Sequence, residues 1–275
     1  MSKQRAIPTP AGKLPREFGR QAFGEDPAGY HRARPPYPDW VYETLVSRCG
    51  LRQDTAVFEI GAGTGTATRR LLELGANPLV AIEPDPRLAE FLRTDNPDPA
   101  LSVIVSPFEN AVLDQGTFDL GLSATAFHWL DESPALAKIA TLLRPGGWWI
   151  ALWNEFGDYS LPDPFHDATH ELLRAPIGPS AGERGIPYAL DSEARLAALN
   201  RGGEFDLVEH QVSRWPLVLD ADETVALYAT YSNINARPDR GAVLAELGRI
   251  AREDFENRVV RNMITSLYIG RRMAR

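Results

Sequence analysis

The chain has 275 residues, 44% of them hydrophobic and 24% charged, ordinary globular values that exclude a coiled coil and a disordered tail protein. Asp and Glu outnumber Lys and Arg 37 to 29, for a net charge of −8; with neither a basic surplus nor a basic stripe, no nucleic-acid partner is expected. The single cysteine, Cys49, excludes an internal disulfide and a four-cysteine zinc site and fits a reducing cytoplasm, while the lack of a run of about 18 apolar residues predicts no membrane span.

Residues 1–20 carry Lys3, Arg5, Lys13, Arg16 and Arg20 without an apolar stretch, so they read as a flexible tail and not as a secretory signal. Asp39 stands before Trp40 to Ser47 as a candidate N-cap. Ala56 to Ile60 reads as a short buried strand. Thr64 to Leu74 is amphipathic, and Gly75 suits its end. Leu79 to Ile82 is a second strand. Asp85-Pro86 pairs an N-cap with a first-turn proline and opens a helix to about Arg93. Leu101 to Val105 and Phe118 to Leu122 are strands three and four. Pro134 to Leu143 is helical, Arg144 to Gly147 a turn, and Trp148 to Trp153 strand five. This alternation implies a parallel sheet with right-handed crossovers.

The alternation stops near Asn154. Residues 155–200 look helical and loop-rich, with Pro162, Pro164, Pro176, Pro179 and Pro187. Phe205 to Leu219 reads as one long strand or a pair. Ala221 to Tyr231 and Ala242 to Phe255 read as helices, the second followed by a last strand from Arg261 to Gly270. Four parts follow: 1–38, an N-terminal tail and cap; 39–154, the core; 155–200, a helical insertion; 201–275, the last strands with a helical insertion at 221–257. The charge run from Arg249 to Arg258 reads as a solvated helix face.

The chemistry concentrates after the first strand, which runs into Gly61-Ala62-Gly63-Thr64-Gly65 and then a helix. Glycines permit a tight turn and close approach of a ligand to the backbone, and the helix start offers free N–H groups. Thr66 stands where a dinucleotide fingerprint needs its third glycine. With Glu59 two residues ahead of the turn, the loop suits a ligand with an amino group better than a pyrophosphate. Glu83, at the end of the second strand, is placed to accept hydrogen bonds from ribose hydroxyls.

These segments resemble the class I S-adenosylmethionine-dependent methyltransferases of the small-molecule, trans-aconitate-methyltransferase-like branch. Phe58 to Gly65 resembles their first motif, Ala81 to Asp85 their second-strand acid motif, and Phe118 to Leu120 with Ala124 to Asp131 their fourth-strand segment. Leu143 to Gly147 resembles the turn before strand five, and Tyr30 to Pro38 the N-terminal cap. The resemblance implies an α/β fold: a Rossmann-like seven-stranded methyltransferase sheet, helices on both faces, and helical insertions forming a cap. It implies S-adenosyl-L-methionine as cofactor, S-adenosyl-L-homocysteine as product, and a small-molecule acceptor methylated on oxygen or carboxylate.

Carried over by position, the resemblance implies that Gly61, Gly63 and Gly65 line the methionine part and that Glu59 holds its ammonium, directly or through water. Glu83 takes the ribose hydroxyls, Pro84 and Phe108 flank the adenine, and Glu109 reaches its amino edge. Ser123 and Ala124 lie near the sulfonium, and Tyr30 and Arg34 close over the cofactor. Many relatives carry an aspartate just before the Phe108 position, where this chain has Pro107.

His128 reads either as the general base, since its ordinary pKa of about 6.5 suits proton transfer, or as a structural histidine packed on Trp129. Trp153, Asn154 and Glu155 end strand five, either in contact with substrate or structural. Arg32 and Arg34 are candidates for an acidic substrate or for solvent and cofactor contacts. Trp148, Trp149, Trp153, Phe156, Tyr159 and Phe165 suggest an aromatic acceptor environment, although several must be core. Tyr228, Tyr231 and Asn233 read as core packing or as acceptor-pocket wall. His166 and His170 share a helix face, but no third ligand is evident, so no metal is expected. Two other readings of the whole remain: a methyltransferase fold without methyl transfer, as a cyclase or a cofactor-binding regulator, and a nicotinamide-dependent oxidoreductase.

Overall fold

The structure, a computed structural model, describes residues 14–158, 160–175, 178–182 and 185–274. Expectations that fall on residues 1–13, Tyr159 and Pro176 lie outside them.

After a 3-10 helix at Arg16–Arg20, the chain forms α1 (Pro27–Ala33), α2 (Asp39–Ser47), β1 (Thr55–Ile60), α3 (Thr66–Glu73), β2 (Ala76–Ile82) and α4 (Pro86–Asp95). Then follow β3 (Leu101–Ile104), β4 (Phe118–Ala124), α5 (Glu132–Leu142), β5 (Leu143–Phe156), α6 (Pro164–Thr169) and α7 (Ser192–Arg201). The chain closes with β6 (Phe205–Leu219), α8 (Ala221–Tyr228), α9 (Ser232–Asn235), α10 (Arg240–Glu253) and β7 (Val259–Arg272).

The strands make one seven-stranded sheet of order β3-β2-β1-β4-β5-β7-β6. β1 to β5 run parallel, and β7 enters antiparallel between β5 and β6. The order reverses between β1 and β4, and in open α/β sheets ligands bind beyond the strand C-termini at that point. Every residue of β1 is buried, as a central parallel strand requires. Side chains alternate between the two faces, with a register shift in β4 between Phe118 and Leu120: Phe58, Trp149, Ala151 and Trp153 pack on one face with Phe118 and Tyr268, and Val57, Leu120, Ile150 and Leu152 on the other with Leu45 and Leu71.

Local signals position the turns. Asp85 caps α4 by accepting from the Arg87 amide, with Pro86 in the first turn. Gly75, past the end of α3, has φ +95°, the left-handed geometry that glycine adopts without strain. Several expectations change. Pro38, not Asp39, holds the N-cap position of α2, and it makes no side-chain cap bond. The Arg144 to Gly147 turn lies within β5, as an excursion between the Phe118–Leu143 and Leu120–Trp148 pairs. Residues 155–200 are less helical than read, and the helix expected over Ala221 to Tyr231 breaks into α8 and α9. The tail reading fails for residues 16–20: their 3-10 helix packs on Trp129, where a Cβ on Gly19 would meet the indole at 2.3 Å. Arg16 also reaches Asp131 at 3.7 Å.

Gly121, inside β4, shows how tightly the sheet packs. A Cβ there would sit 2.2 Å from Phe58 Cζ, and Phe58 is fully buried against Phe118 and Trp149. Gly121→Ala is expected to cost about 1–3 kcal/mol through overpacking. The loss will appear as a lower urea midpoint at unchanged slope; an unchanged midpoint would show that the Phe58 ring yields freely.

Candidate active site

The C-terminal ends of β1, β2, β4 and β5 open into a cavity of about 1130 Å³, counting its mouth. Its walls include Glu59, Gly61, Ala62, Gly63 and Thr64 from the β1 turn, Glu83 and Pro84 after β2, and Phe108 and Glu109 after β3. Tyr30, Arg34 and Tyr37 close it from the N-terminal segment. Nine of the residues singled out in the sequence thus meet at one place: Tyr30, Arg34, Glu59, Gly61, Gly63, Glu83, Pro84, Phe108 and Glu109.

The glycine turn is built from left-handed backbone. Gly63 has φ +58°, and a Cβ added to it would meet nothing within 4 Å, so this backbone faces open cavity. Gly61 differs: a Cβ there would strike Ala126 Cβ at 2.4 Å, so the missing side chain lets the β1 and β4 turns meet.

Two carboxyls flank the turn. Glu59, buried on β1, accepts from the Thr68 hydroxyl at 2.6 Å. Desolvation pushes it up to about 8, an effect that the Thr68 hydrogen bond opposes and the nearby Glu83 charge reinforces. Glu83, also buried, accepts from the Gly63 amide at 2.8 Å and the Asp85 amide at 2.9 Å. Desolvation raises it to about 7 against those two bonds. Among the described residues neither carboxyl has a cationic partner within ion-pair distance. A buried acid in that state is stabilised by a ligand that brings positive charge or hydroxyl donors.

The wall beyond β2 and β3 is apolar: Pro84, Leu88, Pro107 and Phe108. With Pro107 there, the carboxylate that many relatives carry is absent. The polar group left at that end is Glu109, which receives Arg20 at 3.4 Å. Lys138 on α5, which no motif marks, fastens this loop. Its ammonium donates to the Phe108, Glu109 and Ala111 carbonyls at 2.6, 3.1 and 2.7 Å.

Three candidates do not line the cavity. Gly65 packs inward, where a Cβ would meet Leu92 at 2.5 Å and Asn96 at 3.0 Å. Ser123 is fully buried and donates to the Ile60 carbonyl at 3.0 Å; its neighbour Ala124 is in the wall. His128 lies beside the cavity, buried, and its Nδ1 accepts from the Trp153 indole at 3.0 Å. That bond leaves the proton on Nε2, so neither nitrogen of the neutral ring has a free lone pair. Burial and the Arg34 charge hold its pKa down near 3. The base role expected for His128 is corrected accordingly: the ring is a structural acceptor for Trp153.

The aromatic acceptor wall shrinks as well. Trp149, Trp153 and Phe165 are core residues, and Trp148 stacks on Arg48 at 5.3 Å. Phe156 does line the cavity, with Phe23 and Trp129. Asn154 spends its amide on the cap, donating to the Pro36 carbonyl at 3.1 Å and accepting from Thr265 at 2.7 Å. Tyr37 reaches the Thr125 hydroxyl at 2.8 Å, across a residue held at φ +54°. Arg32 is outside this wall. His166 and His170 lie 6.2 Å apart, and no cluster of three metal-ligating side chains occurs among the described residues. Phe23, Arg16 and Arg20 were not legible as site residues, because nothing local in a basic, irregular segment marks where it docks.

Comparison with known proteins agrees with this geometry. Residues 58–151 match a family described as a methyltransferase domain. An uncharacterised methyltransferase of Mycobacterium tuberculosis is 35% identical over 133 residues, 48% of this chain and 52% of the relative. A trans-aconitate 2-methyltransferase of Mycobacterium ulcerans is 28% identical over 156 residues, 54% of this chain and 52% of that one. The chain thus spans about half the length of the curated relatives it matches. Among solved structures, a Haemonchus contortus phosphoethanolamine N-methyltransferase in complex with S-adenosylhomocysteine aligns with TM-score 0.56 at 11% identity. That alignment covers 91% of this chain and 57% of the other, and it shows the shared fold. Residues 58–151 thus match a methyltransferase domain, and the seven-stranded sheet built around them has the fold of that solved methyltransferase.

Proposed function

We propose that the chain transfers a methyl group from S-adenosyl-L-methionine to an oxygen of a small-molecule acceptor, a hydroxyl or a carboxylate, and releases S-adenosyl-L-homocysteine. The observation that carries this reading is the pair of buried carboxyls, Glu59 and Glu83, set without cations on either side of a glycine turn whose backbone faces the cavity. A ligand with an ammonium and ribose hydroxyls matches the two carboxyls, and a flat base matches the apolar wall of Pro84 and Phe108.

Glu59 is assigned to the ammonium, Glu83 to the ribose hydroxyls, and Pro84, Phe108 and Glu109 to the base. Gly61 and Gly63 shape the turn beside the amino-acid part, and Tyr30 and Arg34 close the cap. The cofactor supplies an activated methyl on sulfur with a good leaving group, so the protein chiefly aligns the acceptor. The acceptor side is open to Arg34, Trp129 and Phe156. The acidic balance of the chain makes nucleic acid an unsuitable acceptor.

Calorimetric titration of ligand-free protein with S-adenosylmethionine, S-adenosylhomocysteine and NAD tests the reading. Micromolar binding of both sulfur compounds and none of NAD is expected; the reverse would assign the fold to nicotinamide chemistry. Glu83→Ala is expected to weaken S-adenosylmethionine binding by about 1–3 kcal/mol, the cost of hydrogen bonds lost by a buried partner. Unchanged affinity in the folded variant would remove Glu83 from the ribose.

Proton linkage gives an independent check. With its pKa raised to about 8, Glu59 is largely protonated at neutral pH, and an ammonium beside it favours the ionised form. Binding is therefore expected to release a proton, and affinity to rise from about pH 6 to about 7.5, where the ligand amine is still charged. Titrations in buffers of different ionisation enthalpy read the proton directly. Equal apparent enthalpies in all buffers would rule out the ammonium at Glu59.

A further inference from the structure

Arg34 lines a second cavity as well as the first. This one measures about 1930 Å³, counting its mouth, and runs between the N-terminal segment, the end of β6 and α8. Phe23, Tyr30, Arg34 and Pro35 belong to the walls of both cavities. A molecule in the second cavity therefore lies against the partition that closes the first.

Three residues of the second lining carry a buried polar atom with no hydrogen-bond partner: Arg34 at Nε, Arg240 at Nε and Asn235 at Oδ1. The same side chains are held firmly at their other atoms. Arg34 and Arg240 each donate through Nη2 to successive carbonyls at the end of α8, Thr230 at 3.2 Å and Ala229 at 3.3 Å. Asn235 donates its amide nitrogen to the Ala22 carbonyl at 3.0 Å, which leaves its oxygen as the open acceptor. Buried polar groups are rarely left unpaired. Two guanidinium donors and one acceptor in the same lining fit a carboxylate that carries a hydroxyl nearby.

Charge in this cavity is sorted by depth. The four acids of the lining, Glu25, Asp26, Asp222 and Glu223, are all exposed. Three are engaged at the rim: Asp26 accepts from the Gly29 amide, Glu223 from the Asp220 amide, and Asp222 pairs with Arg252. Glu25, with its side chain 77% exposed, comes no nearer to Arg240 than 3.9 Å. Arg34 and Arg240, by contrast, are partly buried. Arg34 makes no ion pair among the described residues, and Glu155 feels its charge only from beyond that distance. Much of the remaining wall is apolar, with Leu217, Leu219, Ala226 and Ala229 beside Phe23 and Pro35. A largely apolar pocket with a few convergent polar groups is the usual form of a small-molecule site.

We propose that this second cavity binds the acceptor, and that the acceptor is an amphipathic hydroxy acid. Arg34 and Arg240 hold its carboxylate, Asn235 takes its hydroxyl, and the wall of Leu217, Leu219 and Ala226 covers its apolar body. That the ligand is the acceptor rests on the methyl-transfer reading above, whose acceptor class this narrows. Because Arg34 stands in the partition, the oxygen-bearing head is the end nearest the cofactor cavity, and the apolar body extends away from it. A cation is disfavoured by the two guanidinium groups. A compact polyacid leaves the apolar wall uncovered and forgoes the gain from its burial.

Calorimetric titration of wild type compares 3-hydroxydecanoate, decanoate, decylamine and fumarate as probes, each below its micelle concentration. Both long acids are expected to bind, the hydroxy acid more tightly, with decylamine and fumarate weaker by about tenfold or more. Saturation with S-adenosylhomocysteine should leave acid binding in place, since the two cavities are distinct. Arg240→Gln should weaken both long acids by about 10–100-fold, the loss of a hydrogen bond to a charged group, with S-adenosylhomocysteine affinity unchanged. Should that variant fail to fold, Arg240→Lys keeps the charge without the Nε donor, and a severalfold loss is expected. No binding of either long acid, equal binding of decylamine or fumarate, displacement by S-adenosylhomocysteine, or full acid affinity in the variants overturns the proposal and leaves the cofactor reading standing. Equal affinities for the two long acids overturn the Asn235 contact. Acid binding by a protein that binds no S-adenosylmethionine overturns the methyl-transfer reading, and the acceptor role with it.

Discussion

The hydrogen bonds of Glu83 tie the site together. One carboxylate oxygen takes the Gly63 amide at 2.8 Å and the other the Asp85 amide at 2.9 Å. The first bond joins the end of β2 to the turn after β1, and the second fixes the entry to α4. A carboxyl in this place must be buried, which costs desolvation, and its two amide partners offset that cost. The same bonds hold the Gly63 backbone open toward the cavity. Remove the acid and both the turn after β1 and the entry to α4 lose their anchor.

The second constraint is the sheet order. Because it reverses between β1 and β4, the chain after β1 and the chain after β4 leave the sheet toward opposite faces, and a crevice opens between them. The Gly61 and Ala126 turns approach each other across its floor. The antiparallel β7 lengthens the sheet past β5 and buries the far flank, which places Asn154, Glu155 and Phe156 at an inner edge and not at the rim. Asn154 then fastens the N-terminal cap through the Pro36 carbonyl. Lid, floor and flank are thereby coupled through a few polar contacts.

Charge follows from the same geometry. The site holds two buried carboxyls with raised pKa values, Glu59 and Glu83, each displaced chiefly by desolvation. Arg34 lies among aromatic rings and reaches the electrostatic surroundings of both Glu155 and His128. Such environments separate similar titratable groups: Glu59 and Glu83 lack cationic partners, whereas His128 is bonded to Trp153.

Much of this was legible in the chain. The alternation of apolar runs and amphipathic helices specified the parallel core, since burial on both faces demands it. The Gly61 to Gly65 turn with Glu59 and Glu83 marked the cavity end of the sheet, since it combines left-handed backbone with acids at adjacent strand ends. Tertiary structure decided what depends on distant neighbours. Ser123, Gly65 and His128 carry suitable chemistry at suitable sequence positions, yet each is claimed by a packing partner: the Ile60 carbonyl, Leu92 and Trp153. Conversely, Lys138, Phe23 and the Arg16 to Arg20 turn join the site from segments with no motif. A side chain's type and local periodicity are written in sequence, but its hydrogen-bond partner and its access to a cavity are set by elements that meet only after the sheet has closed.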